Sequence, residues 1–194
     1  MTQICLPERL VARFGVTVLL GIAGVACFAP LELFWLAPVV WGGFFALLLR
    51  AGSPRAGALT GLAFGLGFFL TGVSWVYVSL SVFGGMPWWL AGIAAFLFCT
   101  VMALFPMLAG WAFKRWQSAR FWQQVLFFAV LIAAVDWLRS WIFTGFPWLA
   151  VGYSQAPPSP LAGFAPLLGV HGLSLLVALA GAALLRWRVG VAVV

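Results

Sequence analysis

Apolar residues run along the chain in six long stretches, approximately 10–28, 34–49, 57–78, 88–113, 122–144 and 161–185. Within each stretch the apolar positions are nearly continuous. The two-residue alternation of a half-buried or barrel strand is absent, so the pattern predicts helices. A bilayer core about 30 Å thick is crossed by roughly 20 apolar residues in a helix, and the six stretches approach that length. The second is the shortest, with Pro30 and Pro38 near its start. The expected fold is therefore an all-α, polytopic bundle of about six transmembrane helices, with an outer loop at 145–160.

Polar residues fall at the breaks, and their signs are ordered. Arg9 and Arg13 precede or open the first stretch, and Arg50 and Arg55 separate the second from the third. Lys114, Arg115 and Arg120 separate the fourth from the fifth, and Arg186 and Arg188 follow the sixth. Every second loop is basic. By the positive-inside rule these loops and the N-terminus face the cytoplasm, while those around Leu31, Phe83 and Gln155 face outward. Only Arg139 departs from this order.

Composition agrees with a membrane protein. The 194 residues are 65% hydrophobic and 7% charged, whereas a soluble domain is about a quarter charged. The net charge of +7 is spread in small groups between apolar runs rather than gathered on a basic face, so no nucleic-acid partner is implied. Arg9 and Arg13 followed by an apolar run ending GVAC faintly resemble a cleavable signal. Gly24 stands where such a site takes a large aliphatic residue, and more membrane protein follows, so a retained first helix is expected. Cys5, Cys27 and Cys99 show no paired spacing and read as packing residues rather than a disulfide or metal set. No metal or cofactor motif is present.

Two features of the spans suggest packing. Gly57, Gly61 and Gly65 recur every four residues, a small-residue face that admits a close neighbour. Pro106 lies inside the fourth span, where neighbouring groups can satisfy the freed carbonyl.

The outward side carries the candidate chemistry. Asp136 and Arg139, three residues apart, share a helix face and can form a structural ion pair. Counting to a helix end at Thr144 puts Arg139 about 7.5 Å inside the helix, shallow enough for its guanidinium to meet a lipid phosphate at the outer interface. Gly145 and Pro147 read as a helix stop. Beyond them Trp148 and Tyr153 belong at headgroup level, as do Trp75, Tyr77, Trp88 and Trp89. Arg139, Trp148, Tyr153, Trp75 and Tyr77 are thus the candidate lipid-binding residues, with Glu32 and His171 weaker. An aromatic belt with a purely structural ion pair accounts for the same pattern. No catalytic residue is assigned, because the sequence holds no phosphate loop, HExxH or GxSxG.

The segments VSWVYVSLSVFGGMP, LRSWIFTGFPWLAVGYSQ and SPLAGFAPLLGVHGLSLL closely resemble the N-terminal membrane region of bacterial apolipoprotein N-acyltransferases, and the likeness extends over essentially the whole chain. The resemblance implies a multi-pass protein of the bacterial inner membrane, engaged in lipoprotein biosynthesis. Enzymes of this family move an acyl chain from a phospholipid such as phosphatidylethanolamine, through an active-site cysteine, to the N-terminal amine of a diacylated lipoprotein. They do so with a Glu–Lys–Cys triad on a periplasmic nitrilase-like domain. Phospholipid and diacylated lipoprotein are thus the partners implied. That triad has no counterpart here, where the one lysine, Lys114, belongs to a cytoplasmic loop. The expectation is a membrane part without transferase activity of its own, whether a fragment, a truncated product or half of a split enzyme. The alternative is a non-enzymatic lipid-binding or transporter-like scaffold.

Overall fold

The computed structural model describes residues 6–156 and 158–191, with side chains described from residue 12 to 185. Cys5 lies outside the described residues. Among them the chain is helical and without strands, a membrane bundle built from α1 (Leu6–Val25), α2 (Leu36–Leu49), α3 (Pro54–Gly72), α4 (Trp75–Val78), α5 (Trp88–Trp116), α6 (Phe121–Arg139) and α7 (Ala165–Val191). A π-helical turn, Ser79–Phe83, extends α4, and short 3-10 turns, Ile142–Thr144, Val151–Gln155 and Pro160–Phe164, shape the approach to α7.

Three helical stretches are long and apolar enough to cross a membrane by themselves: α5, α6 and the run Pro160–Leu185. The third expected span is not one straight helix. It stops at Gly72, and the chain resumes as α4 and its π turn at a bend of 49°. Taken as one broken span, the pair makes a fourth crossing. At the break the Leu149 side chain packs so closely on Gly72 that it fills the space where a Cβ would lie. At its other end α3 begins three residues earlier than the apolar pattern, where the Ser53 hydroxyl accepts a hydrogen bond from the Ala56 amide (3.1 Å) and Pro54 occupies the first turn.

The first two expected spans are shorter apolar helices, Ala12–Val25 and Leu36–Leu49. Fourteen residues give α2 a length of about 21 Å, less than the hydrocarbon core. Its surroundings explain how it manages. Val40, Trp41, Phe44, Phe45 and Leu48 are buried, so protein rather than lipid covers much of it. Phe44 stacks on Phe64 of α3 at 4.4 Å between ring centroids, and Phe45 meets Phe113 of α5 at 5.6 Å and Phe128 of α6 at 5.0 Å. The core is a cluster of aromatic rings with α2 at its centre.

Small residues set the helix spacing. Gly57, Gly61 and Gly65 of α3 face Gly110, Pro106 and Ala103 of α5 so closely that a Cβ on Gly61 would overlap the Pro106 carbonyl oxygen. Gly42 and Gly181 bring α2 against α7 in the same way. Pro106 stays within an unbroken α5.

The cations gather at one end. Arg13 donates from Nη2 to the Leu47 carbonyl (2.5 Å) and from Nη1 to that of Arg50 (3.2 Å), and Lys114 reaches the Leu49 carbonyl (3.4 Å). They thereby satisfy carbonyls left open at the C-terminus of α2 and oppose its negative dipole end. The ends of α1 and α3 and the start of α2 lie at the opposite end, and the candidate site is there.

Candidate functional site at the open end of the bundle

The site begins with a helix that stops early. The sequence pattern carries α6 to Thr144, but the helix closes with Arg139 itself. Beyond it Phe143 and Thr144 adopt left-handed conformations (φ 54° and 74°), Gly145 follows at φ 84°, and the chain doubles back. A Cβ on Gly145 would overlap the Ser140 carbonyl oxygen, so this return needs glycine.

The reversed chain is held by Arg139. Its Nη1 donates to the carbonyls of Phe146 (2.6 Å) and Trp148 (2.5 Å), and its Nη2 to Asp136 Oδ1 (3.1 Å). The guanidinium also lies 5.2 Å from the centroid of the Phe69 ring. Arg139 is 2% exposed and Asp136 6%. The ion pair therefore forms, but beneath the loop. The guanidinium expected at the outer interface is turned onto loop carbonyls instead. Folding a carbonyl-rich loop over the guanidinium satisfies its fork of donors inside the protein, which removes the reason for it to snorkel.

Asp136 completes the clasp. Its Oδ2 accepts from the Val151 amide (2.8 Å) and from the Ser174 hydroxyl of α7 (2.8 Å), while the Ser174 oxygen accepts from the Gly152 amide (2.8 Å). One carboxylate thus ties α6, the loop and α7 together. Farther along, the Gln155 amide group donates to the Phe34 carbonyl (3.3 Å) and its oxygen accepts from Ser159 (2.7 Å), joining the loop to the start of α2. The stretch GYSQ is structural at Ser154 and Gln155, both buried.

What this scaffold presents is a pocket of about 580 Å³ between the α1–α2 connection, the end of α3 and the loop around 147–156. That volume is typical of a small-molecule site. Trp75, Trp148 and Tyr153 all line it, with the two indoles 5.3 Å apart. Leu149 forms part of the wall in a left-handed conformation (φ 59°), where a non-glycine residue is strained. Tyr77 is exposed on α4 and is not part of the wall, and Trp88 and Trp89 are likewise exposed elsewhere. His171 is half-buried in α7 with an unpartnered Nδ1 and does not line the pocket.

The other half of the wall, Cys27, Phe28, Ala29 and Glu32, is poorly marked in the sequence. Glu32 lies in FAPLELF, a break between apolar runs with no periodic signal of its own. The scarcity of acids, three in the chain, was the one cue available. Among the described residues no Lys or Arg lines the pocket, and Glu32 is its one carboxylate. Cys27 is 1% exposed, and Cys99 is buried with its thiol directed at the Phe69 carbonyl (3.5 Å). Cys27 shares the pocket lining with Glu32 but, among the described residues, with no lysine.

Residues 20–183 match the family model described as the apolipoprotein N-acyltransferase N-terminal domain. Among curated proteins, the apolipoprotein N-acyltransferase of Nitrosomonas europaea is 50% identical over 182 residues, covering 92% of this chain and 35% of that protein. Those of Chromobacterium violaceum and Ralstonia nicotianae are 38% and 42% identical, over 95% and 80% of this chain and 37% and 30% of their own lengths. The chain thus spans about a third of the relatives it matches. On the strength of the family match, which covers the helical core and the looped-back segment alike, the chain belongs to the apolipoprotein N-acyltransferase N-terminal domain family.

Proposed function

We propose that this chain is the membrane part of an apolipoprotein N-acyltransferase, a multi-pass inner-membrane protein whose pocket receives the phospholipid that supplies the acyl chain. The acceptor is the N-terminal cysteine of a diacylated lipoprotein. The basic end faces the cytoplasm by the positive-inside rule, which sets the pocket in the outer leaflet. The observation that carries this reading is the pocket itself. It is walled by Phe28, Leu149 and a pair of indoles, and it opens at the end of the bundle opposite the cations.

These residues position a lipid and perform no chemistry on it. The buried thiols of Cys27 and Cys99 have no lysine to complete a thioester mechanism, since the chain's one lysine, Lys114, is engaged with α2 at the far end. The transfer steps therefore fall to residues of the remaining two thirds of the family's length. Trp148 and Tyr153, both about half exposed, give the lip an amphipathic edge suited to the headgroup boundary. Arg139 acts through the loop and has no direct contact with lipid.

A chimera tests the reading. The matching segment of the Nitrosomonas europaea relative is replaced by this chain, and transfer from fluorescent phosphatidylethanolamine to a diacylated lipopeptide is followed. The chimera is expected to make triacylated product, Trp148→Ala in it to lower turnover, and the chain alone to make none. An inserted chimera whose turnover ignores Trp148→Ala would refute the lipid-positioning role. Product from the chain alone would refute the division of labour.

A further inference from the structure

The end of the bundle opposite the pocket gathers cations without counter-ions. Arg13 of α1 donates to the Leu47 and Arg50 carbonyls, and Lys114 of α5 to that of Leu49. Both charges are thus held within one turn of the end of α2, where Arg50 supplies a third. Lys114 is further fixed by its stem, whose Cγ packs on Gly57 of α3. Four helices meet around three positive side chains. Among the described side chains the acids are Glu32 and Asp136, and both stand at the other end.

The backbone does not neutralise this cluster. A helix C-terminus carries about half a negative charge, against three whole positive ones. Nor are the donors used up. Lys114 has three N–H groups and makes one hydrogen bond, Arg13 Nε is buried without a partner, and the exposed Arg50 side chain makes no hydrogen bond or ion pair among the described residues. Like charges held this close repel. A bridging anion with several acceptor oxygens removes that repulsion while it takes the open donors.

Apolar surface adjoins the charges. Phe14, next to Arg13, and Trp111, one turn before Lys114, are exposed, and the exposed ring of Trp116 lies 5.2 Å from that of Trp111. A border of indoles belongs at headgroup level, where a phosphate comes with acyl chains attached. We propose that Arg13, Arg50 and Lys114 bind the phosphate of an anionic phospholipid in the leaflet at the basic end, with its chains along the exposed apolar surface beside them. Its charge holds the ends of α1, α2 and α5 together. The site is separate from the pocket at Trp75 and Trp148 and rests only on the reading of the chain as a membrane bundle. A lipid of net negative charge is the occupant, because a zwitterionic one brings its own ammonium into the cation cluster.

Native mass spectrometry reads the binding. The purified chain in mild detergent is mixed with equal amounts of phosphatidylglycerol and phosphatidylethanolamine carrying the same acyl chains. Wild type is expected to retain phosphatidylglycerol about fivefold over phosphatidylethanolamine, the size of one basic residue's attraction for an anionic headgroup. Arg50→Gln and Lys114→Gln should each bring the ratio to about twofold or below, and Arg50→Lys should keep it. Because the Arg50 side chain is exposed, its variants leave the packing intact, so a lost preference there is not misfolding. Wild type that retains both lipids equally overturns the proposal.

Three controls separate this site from its rivals. Arg120→Gln removes an equal charge at the same end, from outside the set anchored on α2, and should preserve the ratio; a fall as large as that of Arg50→Gln would reduce the site to diffuse net charge and overturn it. Glycerol phosphate, the headgroup chemistry without chains, should not displace the lipid at equal concentration; displacement would assign the cluster to a free phosphate and overturn the lipid. Trp148→Ala should lower the total lipid retained without lowering the preference. A lowered preference would place the anionic lipid in the pocket and overturn this site, whereas unchanged total retention would count against the pocket and leave this site standing.

Discussion

Replacing Arg139 with alanine removes three hydrogen bonds at once, to Phe146 O, Trp148 O and Asp136 Oδ1, and leaves a carboxylate buried without its counter-charge. Loss of one partner of a buried pair costs about 3–5 kcal/mol. Asp136 keeps its bonds from Val151 and Ser174, so the lower part of that range is expected, near 3 kcal/mol. On the scale of a soluble domain of this size that is of order 10 °C in melting temperature. The damage should be local first, because the freed carbonyls belong to the looped-back segment. The assay is thermal unfolding in detergent, paired with limited proteolysis between α6 and α7. Arg139→Ala is expected to melt early and be cut in this segment, and Asp136→Asn with Arg139→Ala to recover about 1 kcal/mol or more, since no uncompensated charge remains. A single variant that melts and resists protease like wild type would refute the clasp. A double variant worse than the sum of both singles would refute the buried-charge account of it.

Other parts of the structure are open to equally direct measurement. Gly61→Ala should destabilise the bundle by about 1–3 kcal/mol through overpacking against Pro106, read as a lowered melting temperature, whereas Gly92→Ala, with open space around it, should hold or raise it, since alanine is the better helix former. Cys27, 1% exposed, is expected to resist maleimide in the folded chain and to label once Trp148→Ala removes an indole from the wall it shares; mass spectrometry of the tryptic peptide reads both. Gln155→Ala deletes the link to Phe34 and Ser159 and should cost about 1 kcal/mol, with faster proteolysis near 155–160.

The bundle was legible because its signals are local and redundant. Continuous apolar runs report helices, and the small-residue ladder at Gly57, Gly61 and Gly65 correctly marked a face of close packing, which α5 occupies. What escaped depends on partners distant in sequence. The break after Gly72 falls where Leu149, far along the chain, packs against it. The early stop of α6 was hidden because residues 140–144 are as apolar as a helix end, while the conformation is set by carbonyls that close on Arg139. Asp136 and Arg139 were recognisable as a pair from their spacing. Their burial was not, since it requires Ser174 and the amides of Val151 and Gly152 to arrive from the other side. The habit of aromatics at interfaces singles out Trp75, Trp148 and Tyr153, which line the pocket, and equally Tyr77, which does not.

The placement of so few charges follows one rule once partners are assigned. Asp136 neutralises Arg139 at short range, so the clasp is close to electrically silent from the pocket. At the other end Arg13 and Lys114 are turned onto backbone carbonyls of α2, which directs their charge into a helix end rather than toward the cavity. Among the described residues Glu32 is the one charged side chain that lines the pocket, and it is exposed. The buried arginine therefore acts through the loop: it fixes the backbone that presents Trp148 and contributes little net charge. Converting Arg139 to lysine should isolate the geometry of the guanidinium from its charge: the charge pair survives, but a single ammonium matches two carbonyls and a carboxylate less well than the guanidinium fork. The expected result is a looser loop, cut faster by protease between α6 and α7, and a lower melting temperature than wild type. A lysine variant that melts and resists protease like wild type would mean that charge alone holds the loop, contrary to the geometry.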